Sequence, residues 1–454
     1  MRPWKSACSK ATSAKNTGSR SWRNTEKNYW PKISMRNNRR SIWKNFDWLS
    51  LGFFLLLVLL GWGNIYAAVF NEAHDSIFDL SQRYGKQLLW ILTALVLVFL
   101  VLLIDARVYF SLAYPLFAFA VLSLILVLVF GKEIAGARSW FVIGGFSIQP
   151  SEFAKMATAL ALARYLSTKG VQMERIGHQL RALLIVIVPP LLVIPQPDPG
   201  SALVYCALLL VMHREGLPGY YLFTVFGLAG LFLLSLLFSP LYLSGAILIL
   251  AIIAYLLLRH QRGIFWRLGL FALLSIGLVQ SVDYAFYNLL EDRHRDRINI
   301  LLGKMDDPQG VGYNTHQSMI AIGSGGWQGK GYLQGTQTKY DFVPEQSTDF
   351  IFCTVGEEWG FWGSSLLVLI FAFFFLRLLW LAERQRSQFA RAYGYGVVAI
   401  LFFHFAVNIA MTIGLAPVIG IPLPFFSYGG SSLWGFTLLL FVFLRMDAER
   451  FEML

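Results

Sequence analysis

Long apolar runs separated by polar clusters dominate the pattern of this chain. Each run approaches the roughly 20 residues with which a helix crosses about 30 Å of hydrocarbon. The runs lack the alternation over about ten residues that is typical of an outer-membrane barrel. The pattern therefore predicts an all-α polytopic membrane protein, a helical bundle of about twelve transmembrane helices. The predicted helices are 48–69, 88–104, 108–130, 152–167, 182–195, 201–213, 219–238, 241–258, 267–284, 350–380, 394–414 and 430–446.

The composition agrees with this class, because 56% of the 454 residues are hydrophobic and only 14% are charged. Three cysteines, Cys8, Cys206 and Cys353, share no CxxC spacing, and the last two fall in or beside apolar runs. This distribution predicts neither a disulfide framework nor a cysteine metal site.

The net charge of +12 is concentrated at the N-terminus. Residues 1–47 hold 12 lysines and arginines against Glu26 and Asp47, a balance of +10. Such a segment, poor in aliphatic residues, predicts a disordered cytoplasmic tail attracted by anionic lipid, and a topology anchor is favoured over nucleic-acid binding. Met35 begins a more usual lead into the first helix, which favours the hypothesis that residues 1–34 come from an upstream start codon.

Positive charge in the loops predicts the orientation of the bundle, because short cytoplasmic loops carry an excess of lysine and arginine. The first helix is too long for the core of a signal peptide and is expected to be retained. Both termini are then cytoplasmic. The loops assigned to the cytoplasm carry Arg107, Lys169, Arg175, Arg181, Arg214, Arg259, Arg262, Arg267, Arg384, Arg386 and Arg391. The outer face receives the segments 131–151, 196–200, 285–349 and 415–429.

The chain shows no nucleotide-binding motif. The segment GSGGWQGKG, residues 323–331, lacks the GxxxxGK[ST] spacing and falls on the outer side. An inverted repeat of the kind that marks many secondary transporters is also absent from the sequence. The energy for any reaction must therefore come from a source other than ATP.

Candidate chemistry begins in ARSWFVIGGFSIQPSEFAK, residues 137–155. Pro150 and Ser151 indicate a helix start, and Glu152 and Lys155 follow on one helical face, where they can pair. Two interpretations are equally favoured. The pair is either a functional site or a first-turn acid that complements the helix dipole together with a snorkelling lysine.

Two further acids are predicted at the outer surface. Asp198 lies in QPDPGS, where prolines prevent regular helix, and it either caps the helix that begins at Ser201 or has a functional role. Asp349 ends a polar loop that also carries Glu345, directly before an apolar run. Ser-Thr-Asp is a typical N-cap sequence, and capping is compatible with catalysis.

Other polar residues of the outer face are weaker candidates. Glu357 and Glu358 lie two turns deeper, where two consecutive acids are costly, and they meet either an arginine or the bundle interior. The segment IPLPFFSYGGSS, residues 421–432, resembles a re-entrant or ligand-lining turn. Outward-facing positive charge suits either a phosphate or a solvated surface. This charge comes from Arg138, Lys304, Lys330 and Lys339.

From about residue 44 to 447 the chain resembles the SEDS family (shape, elongation, division and sporulation), polytopic peptidoglycan glycosyltransferases. Five motifs in family order carry the resemblance: GARSWFVIGGFSIQPSEFAK, QPDPGSAL, GVGYNTHQSMIAIGSGGWQGKG, FVPEQSTDFIFCTVGEEWG and PVIGIPLPFFSYGGSS. The stretch GTQTKYDFVPEQSTDF is more similar to the elongation (RodA) branch than to the division (FtsW) branch. The implied domains are a tail 1–47, a transmembrane domain 48–447 with an outer catalytic loop near 285–349, and a cytoplasmic end 448–454.

The resemblance implies polymerisation of lipid II into glycan strands at the outer face of the bacterial inner membrane, during elongation. It assigns catalysis to Asp349, which would accept the proton of the acceptor hydroxyl as that hydroxyl attacks the donor with inversion. Arg138 and Lys155 would face the diphosphate, and Glu152 would orient Lys155. The full set implied for substrate binding is Arg138, Glu152, Lys155, Asp198, Gln317, Lys330, Glu345 and Ser427.

The same resemblance implies a divalent cation, Mg2+ or Mn2+, whose ligands it leaves unknown. Its implied partners are a class B penicillin-binding transpeptidase and elongation-complex membrane proteins, with no nucleic acid. A lipid-precursor flippase, a division-type polymerase and a scaffold remain alternatives. The chain departs from the family where Ser347 replaces the usual His, where Pro-Gly-Ser follows Asp198, and where two extra apolar runs lie within 239–284.

Overall fold

A computed structural model of the chain describes residues 45–70, 76–134, 136–144, 146–260, 263–288, 295, 313–339 and 342–451. The predicted tail up to residue 44, the alternative start at Met35 and much of the predicted outer loop 285–349, including Lys304, lie outside the described residues.

Every apolar run that the pattern assigned to a membrane helix is helical. The first helices are α1 (Trp48–Val69), α2 (Arg83–Leu103), α3 (Ala106–Phe130), α4 (Pro150–Leu166), α5 (Ile176–Val193), α6 (Pro199–Val204), which α7 (Leu208–Arg214) continues, α8 (Tyr220–Leu237), α9 (Pro240–Leu258) and α10 (Ile264–Asn288). Two short helices follow, α11 (Tyr313–Ser324) and α12 (Thr336–Lys339). The last three are α13 (Ile351–Glu383), α14 (Gln388–Thr412) and α15 (Gly430–Ala448). Several begin before their predicted start, as α5 does at Ile176 instead of residue 182, because polar first turns continue the helix beyond its apolar part.

Most of these helices are long enough to cross a membrane. Within the part of the chain that the structure describes, nine helices are long and apolar enough to cross a membrane. The other three predicted spans correspond to α4, to the α6–α7 pair and to α8, whose apolar stretches are shorter. The helical, polytopic prediction is confirmed.

A three-stranded antiparallel sheet was not predicted. Its strands are β1 (Lys132–Ile134), β2 (Ala137–Ile143) and β3 (Phe146–Ile148), between α3 and α4. In β2 the side chain of Ser139 is buried while that of Arg138 is exposed, the alternation expected of a strand. The segment is too short and too mixed in polarity for a search for apolar runs to detect it.

Helix α4 lies at the centre of the bundle and packs against α3, α5, α14 and α15. It is buried on all sides, and small residues such as Ala154, Ala157 and Ala161 let neighbouring helices approach closely. Such all-round burial explains why Glu152 and Lys155, in its first turns, are both enclosed.

Helix α13 is broken at Gly360, where the pattern had predicted one continuous helix. Gly360 has φ 63° and ψ −157°, a backbone conformation that residues other than glycine rarely adopt. A Cβ atom there would lie 2.3 Å from the backbone nitrogen of Gly329, so the loop before α12 packs directly on the break. The N–H of Phe361 donates to the carbonyl of Gly326 at 2.9 Å across the same contact.

The start of α1 and the end of α15 lie at the same end of the bundle, where Arg450 donates to the carbonyl of Asn45 at 3.4 Å. Two ion pairs join the helices there, Asp47 with Arg377 and the fully buried Asp447 with Arg384. Burial alone would raise the pKa of Asp47, but hydrogen bonds from Arg377 and from Ser50 hold it below its ordinary value.

The opposite end of α1 meets the loop that precedes α13, where the side-chain amide of Gln346 donates to the carbonyl of Ala68 at 2.6 Å. Because α1 has 22 residues, about 33 Å of helix separates this loop from the ionic network around Asp447. Asp349 therefore lies at the end of the bundle opposite to the one that holds the start of α1 and the end of α15.

Helices α8, α9 and α10 form a peripheral group. Helix α10 packs on α8 and α9, and α8 packs on α7, whereas α9 buries none of its own residues. Two of these helices, α9 and α10, correspond to the two apolar runs within 239–284 that the resemblance counts as extra.

Candidate functional site

Asp349 ends the loop that leads into α13. The N-cap residue of this helix is Phe350, so the interpretation of Asp349 as the N-cap is wrong. The backbone carbonyl of Asp349 accepts from the side-chain amide of Asn408, on α14, at 2.8 Å. A Cβ atom on Gly420 would lie 3.5 Å from the Asp349 Oδ2 atom, so the carboxylate lies beside the Gly420 backbone.

The turn before Asp349 is tightly cross-linked. Glu345 has φ 56°, in the left-handed region, and its carbonyl accepts from the N–H groups of Thr348 and Phe350. The carbonyl of the buried Ser347 accepts from the N–H of Tyr428 at 2.9 Å. The Asp349 turn is thus fixed to the segment between α14 and α15, here called the 415–429 loop.

Arg83, at the start of α2, is a site residue that the sequence did not indicate. Its Nη1 donates to the Ser347 hydroxyl at 2.7 Å and lies 3.4 Å from the Glu345 carboxylate, while 42% of its side chain stays exposed. Arg83 lies between the predicted helices 48–69 and 88–104, a loop that falls on the outer face if the N-terminus is cytoplasmic. An arginine there runs against the usual charge bias, and that departure was the signal available in the sequence.

The 415–429 loop is held by its own polar groups. The Ser427 hydroxyl accepts from the Leu423 N–H at 2.9 Å, so this predicted substrate-binding side chain closes a turn. The Gly429 N–H donates to the Gln87 side chain of α2 at 3.2 Å. Burial raises the pKa of the Tyr428 phenol above its ordinary value, although Arg83 works in the opposite direction.

Asp198 caps α6, as one of its two interpretations predicted. Its Oδ1 accepts from the Ser201 N–H at 3.0 Å, and its Oδ2 accepts from the Gln149 side chain at 2.8 Å. The Gln149 N–H in turn donates to the Ser431 hydroxyl at 3.2 Å. Asp198 is therefore connected to the first turn of α15, which directly follows the 415–429 loop.

Glu152 and Lys155 form the predicted ion pair, at 2.8 Å, and their side chains are only 4% and 2% exposed. The snorkelling interpretation is therefore wrong. The Lys155 ammonium also lies 2.9 Å from Nε2 of His404, a buried partner that the sequence analysis missed because a lone histidine in an apolar run carries no pattern. His404 Nδ1 lies 3.3 Å from the carbonyl of Pro422, in the 415–429 loop.

Lys330 is the ion-pair partner of Glu357, the first of the two consecutive acids in α13. The Lys330 ammonium lies 2.7 Å from the Glu357 carboxylate and 2.7 Å from the Thr336 hydroxyl. Glu357, fully buried, also accepts from the N–H groups of Gln337 and Thr338. This geometry fixes the loop around α12 onto α13, so a structural role for Lys330 competes with the predicted contact to substrate.

The remaining predicted residues lie on β2, α11 and α12. Arg138 is exposed on β2, opposite Glu133 of β1 in the strand register. Gln317 is partly exposed on α11, next to Ser318, whose hydroxyl donates to the carbonyl of Thr412 at 2.9 Å. Lys339 is exposed at the end of α12.

The structure thus brings most of the predicted acids around one element. The 415–429 loop and the first turn of α15 contact the Asp349 turn, the Asp198–Gln149 pair and, through His404, the Glu152–Lys155 pair. Among the described residues, no group of three or more histidine, cysteine, aspartate or glutamate side chains is arranged to hold a metal ion.

A family model described as "Cell cycle protein", FtsW/RodA/SpoVE, matches residues 47–243 and 220–451. The chain is 35% identical over 420 residues to the peptidoglycan glycosyltransferase RodA of Treponema pallidum, covering 86% of the chain and 94% of the relative. It is 33% identical over 398 residues to the peptidoglycan glycosyltransferase MrdB of Escherichia coli K12, covering 87% and 92%.

Solved structures agree with these relatives. The crystal structure of the rod shape determining protein RodA of Thermus thermophilus matches with a TM-score of 0.59 and 26% identity, covering 90% of this chain and 99% of that one. A structure described as "Structural coordination of polymerization and crosslinking by a peptidoglycan synthase complex" matches with a TM-score of 0.64, 28% identity and the same coverage.

Proposed function

Because the chain belongs to the FtsW/RodA/SpoVE family of cell cycle proteins, we infer that it is a peptidoglycan glycosyltransferase that polymerises lipid II, of the elongation type. The observation that carries this conclusion is the similarity to RodA and MrdB over more than four fifths of the chain. It is an integral membrane protein, and its energy comes from the lipid-linked donor substrate.

We propose that Asp349 is the catalytic residue. The acceptor's 4-hydroxyl attacks the anomeric carbon of the donor, its proton passes to the Asp349 carboxylate, and undecaprenyl diphosphate leaves with inversion. Two features of the site support this role. The backbone of Asp349 is fixed by Asn408, and its carboxylate lies beside the backbone of Gly420.

We propose that Arg83 and Arg138 contact the diphosphate. Both arginines keep exposed guanidinium groups, which suit bidentate recognition of phosphate. Lys155 and Lys330 are already paired with Glu152 and Glu357, so they support the site from within the protein.

The described residues do not form a complete set of metal ligands. A divalent cation, Mg2+ or Mn2+, would therefore bind at this site with part of its coordination supplied by the phosphates of the substrate. Glu345, whose side chain is about half exposed, would hold it. Asp198 is committed to Ser201 and Gln149. When bound, the cation would offset charge on the leaving diphosphate.

We further propose a class B penicillin-binding transpeptidase and other elongation-complex membrane proteins as partners. The match to a peptidoglycan synthase complex supports the first of these. The charge bias of the loops supports cytoplasmic termini, and Asp349, at the opposite end of the bundle, would then work at the outer face.

The decisive experiment measures glycan polymer made by the purified protein with its transpeptidase partner, lipid II and Mg2+ or Mn2+. We expect Asp349→Ala to lower the rate by about 100-fold or more, because a positioned general base contributes 10²–10⁴-fold. A chelator should also stop synthesis, and added cation should restore it. A flippase would make no polymer, and polymer undiminished in Asp349→Ala would reject the catalytic assignment.

A further inference from the structure

The side-chain amide of Asn408 joins two separate segments of the site. Its Nδ2 donates to the carbonyl of Asp349 at 2.8 Å and to the carbonyl of Ile421 at 2.7 Å. The residue is fully buried in α14, so neither bond competes with water. Both hydrogens of one amide group therefore link the Asp349 turn to the 415–429 loop.

The chemistry of these two contacts requires a donor. Both partners are carbonyl oxygens, which fixes the orientation of the amide, and Asn408 Oδ1 has no hydrogen-bond partner among the described residues. A carboxylate of the same shape would place negative charge against two carbonyl dipoles. A buried aliphatic side chain would leave both carbonyls without this donor.

His404 lies one turn before Asn408 on the same helix and makes the second contact to the loop. Its Nε2 lies 2.9 Å from the Lys155 ammonium, which can only donate, so this nitrogen is the acceptor and Nδ1 carries the hydrogen toward the carbonyl of Pro422. Two successive carbonyls of the loop, those of Ile421 and Pro422, are thus held by two side chains one helical turn apart.

These bonds determine where the carboxylate of Asp349 lies. The Asp349 turn is fixed at Ser347 by the Tyr428 N–H and at Asp349 itself by Asn408. Gly420, directly before Ile421, lies against the carboxylate. Loss of the Asn408 amide would release the second of these points while leaving every charged group of the site in the protein.

We infer that Asn408 is a positioning residue for the reaction, because its amide fixes the Asp349 backbone against Ile421 and so fixes the position from which the carboxylate takes the acceptor proton. His404 supports the same loop from the preceding turn. The inference rests on the proposed catalytic role of Asp349.

The test measures kcat and KM for lipid II polymerisation by the full chain with its transpeptidase partner. We expect Asn408→Ala to lower kcat by about 10–100-fold, because small misplacements of reacting groups cost up to roughly 100-fold. KM should stay within about twofold, since the groups that bind substrate are unchanged. Asn408→Asp should be slower than Asn408→Ala, because an ionised carboxylate accepts hydrogen bonds and would repel the two carbonyl oxygens.

The matched control is Asn64→Ala. Asn64 is also buried in a membrane helix, but among the described residues its amide donates to the carbonyl of Leu60 in the same helix, at 2.8 Å, and not to the Asp349 turn. The folded fraction of each variant is measured by thermal unfolding, and kcat is expressed per folded protein.

A second pair of variants keeps the test informative if Asn408→Ala does not fold. His404→Gln preserves one acceptor and one donor, so its kcat should stay within about threefold of wild type, whereas His404→Leu should lose about tenfold or more. The inference is overturned if Asn408→Ala matches Asn64→Ala per folded protein, or if His404→Leu matches His404→Gln. Polymer made equally by Asp349→Ala would instead overturn the catalytic role proposed for Asp349, and a wild-type protein that makes no polymer would overturn the proposed function.

Discussion

Ser347 and Arg83 are 264 residues apart in sequence. Arg83 Nη1 nevertheless donates to the Ser347 hydroxyl at 2.7 Å, one of the shortest polar contacts of the site. The sequence identified Ser347 as a departure from the family, two residues before Asp349. It could not supply Arg83, because nothing in a helix start predicts which distant loop it will meet. In this chain a guanidinium from α2 supplies positive charge beside the Asp349 turn.

A double-mutant cycle on this pair tests that arrangement. Arg83→Ala and Ser347→Ala should each lower kcat for lipid II polymerisation, and the double variant should be little worse than Arg83→Ala alone, because the two changes break the same bond. A hydrogen bond with a charged partner contributes about 1.5–3 kcal/mol, enough for a measurable coupling. Strictly additive losses would show that the two residues act separately.

At the scale of elements, apolar runs predicted the helices because a membrane requires about 20 apolar residues per crossing, a constraint that leaves a strong local signal. The sheet β1–β3 and the break at Gly360 carry no such signal. Gly360 has a positive φ, and the loop at Gly329 packs against it. The two residues are far apart in sequence, so no local pattern predicts their contact. Asn408 and His404 were missed for the same reason, since their partners come from other elements.

The loop around α12 offers a prediction about Lys330. If its ammonium serves mainly to pair with the buried Glu357, Lys330→Ala should lower the midpoint of thermal unfolding and leave KM for lipid II unchanged. Removing one partner of a buried ion pair costs about 3–5 kcal/mol, and partial exposure of Lys330 should bring the loss toward the lower end.

Glu357→Gln is the companion variant, because Gln337 and Thr338 donate their N–H groups to different oxygens of Glu357, and the new amide NH2 would place a donor against one of them. It should be at least as destabilising as Lys330→Ala. A rise in KM for Lys330→Ala, with the unfolding midpoint unchanged, would instead assign Lys330 to the substrate.

At the scale of the whole molecule, helices α8, α9 and α10 form a group at the side of the bundle. The matches to solved structures cover 99% of those chains and 90% of this chain. The two matched ranges of the family model overlap over residues 220–243, in α8 and the start of α9. The ionic network around Asp447 and the loops around Asp349 both lie outside residues 220–243.

We expect deletion of residues 240–284 to leave a folded, active polymerase. Helix α9 buries none of its residues, and removal of α9 with most of α10 takes away two crossings, which keeps Asp349 on its original side of the membrane. Lipid would cover the apolar face of α8 that α10 leaves. The measurement is glycan polymer per folded protein, with deletion of α9 alone as the control that inverts all later helices. Loss of activity in a folded two-helix deletion would show that the pair α9–α10 takes part in synthesis.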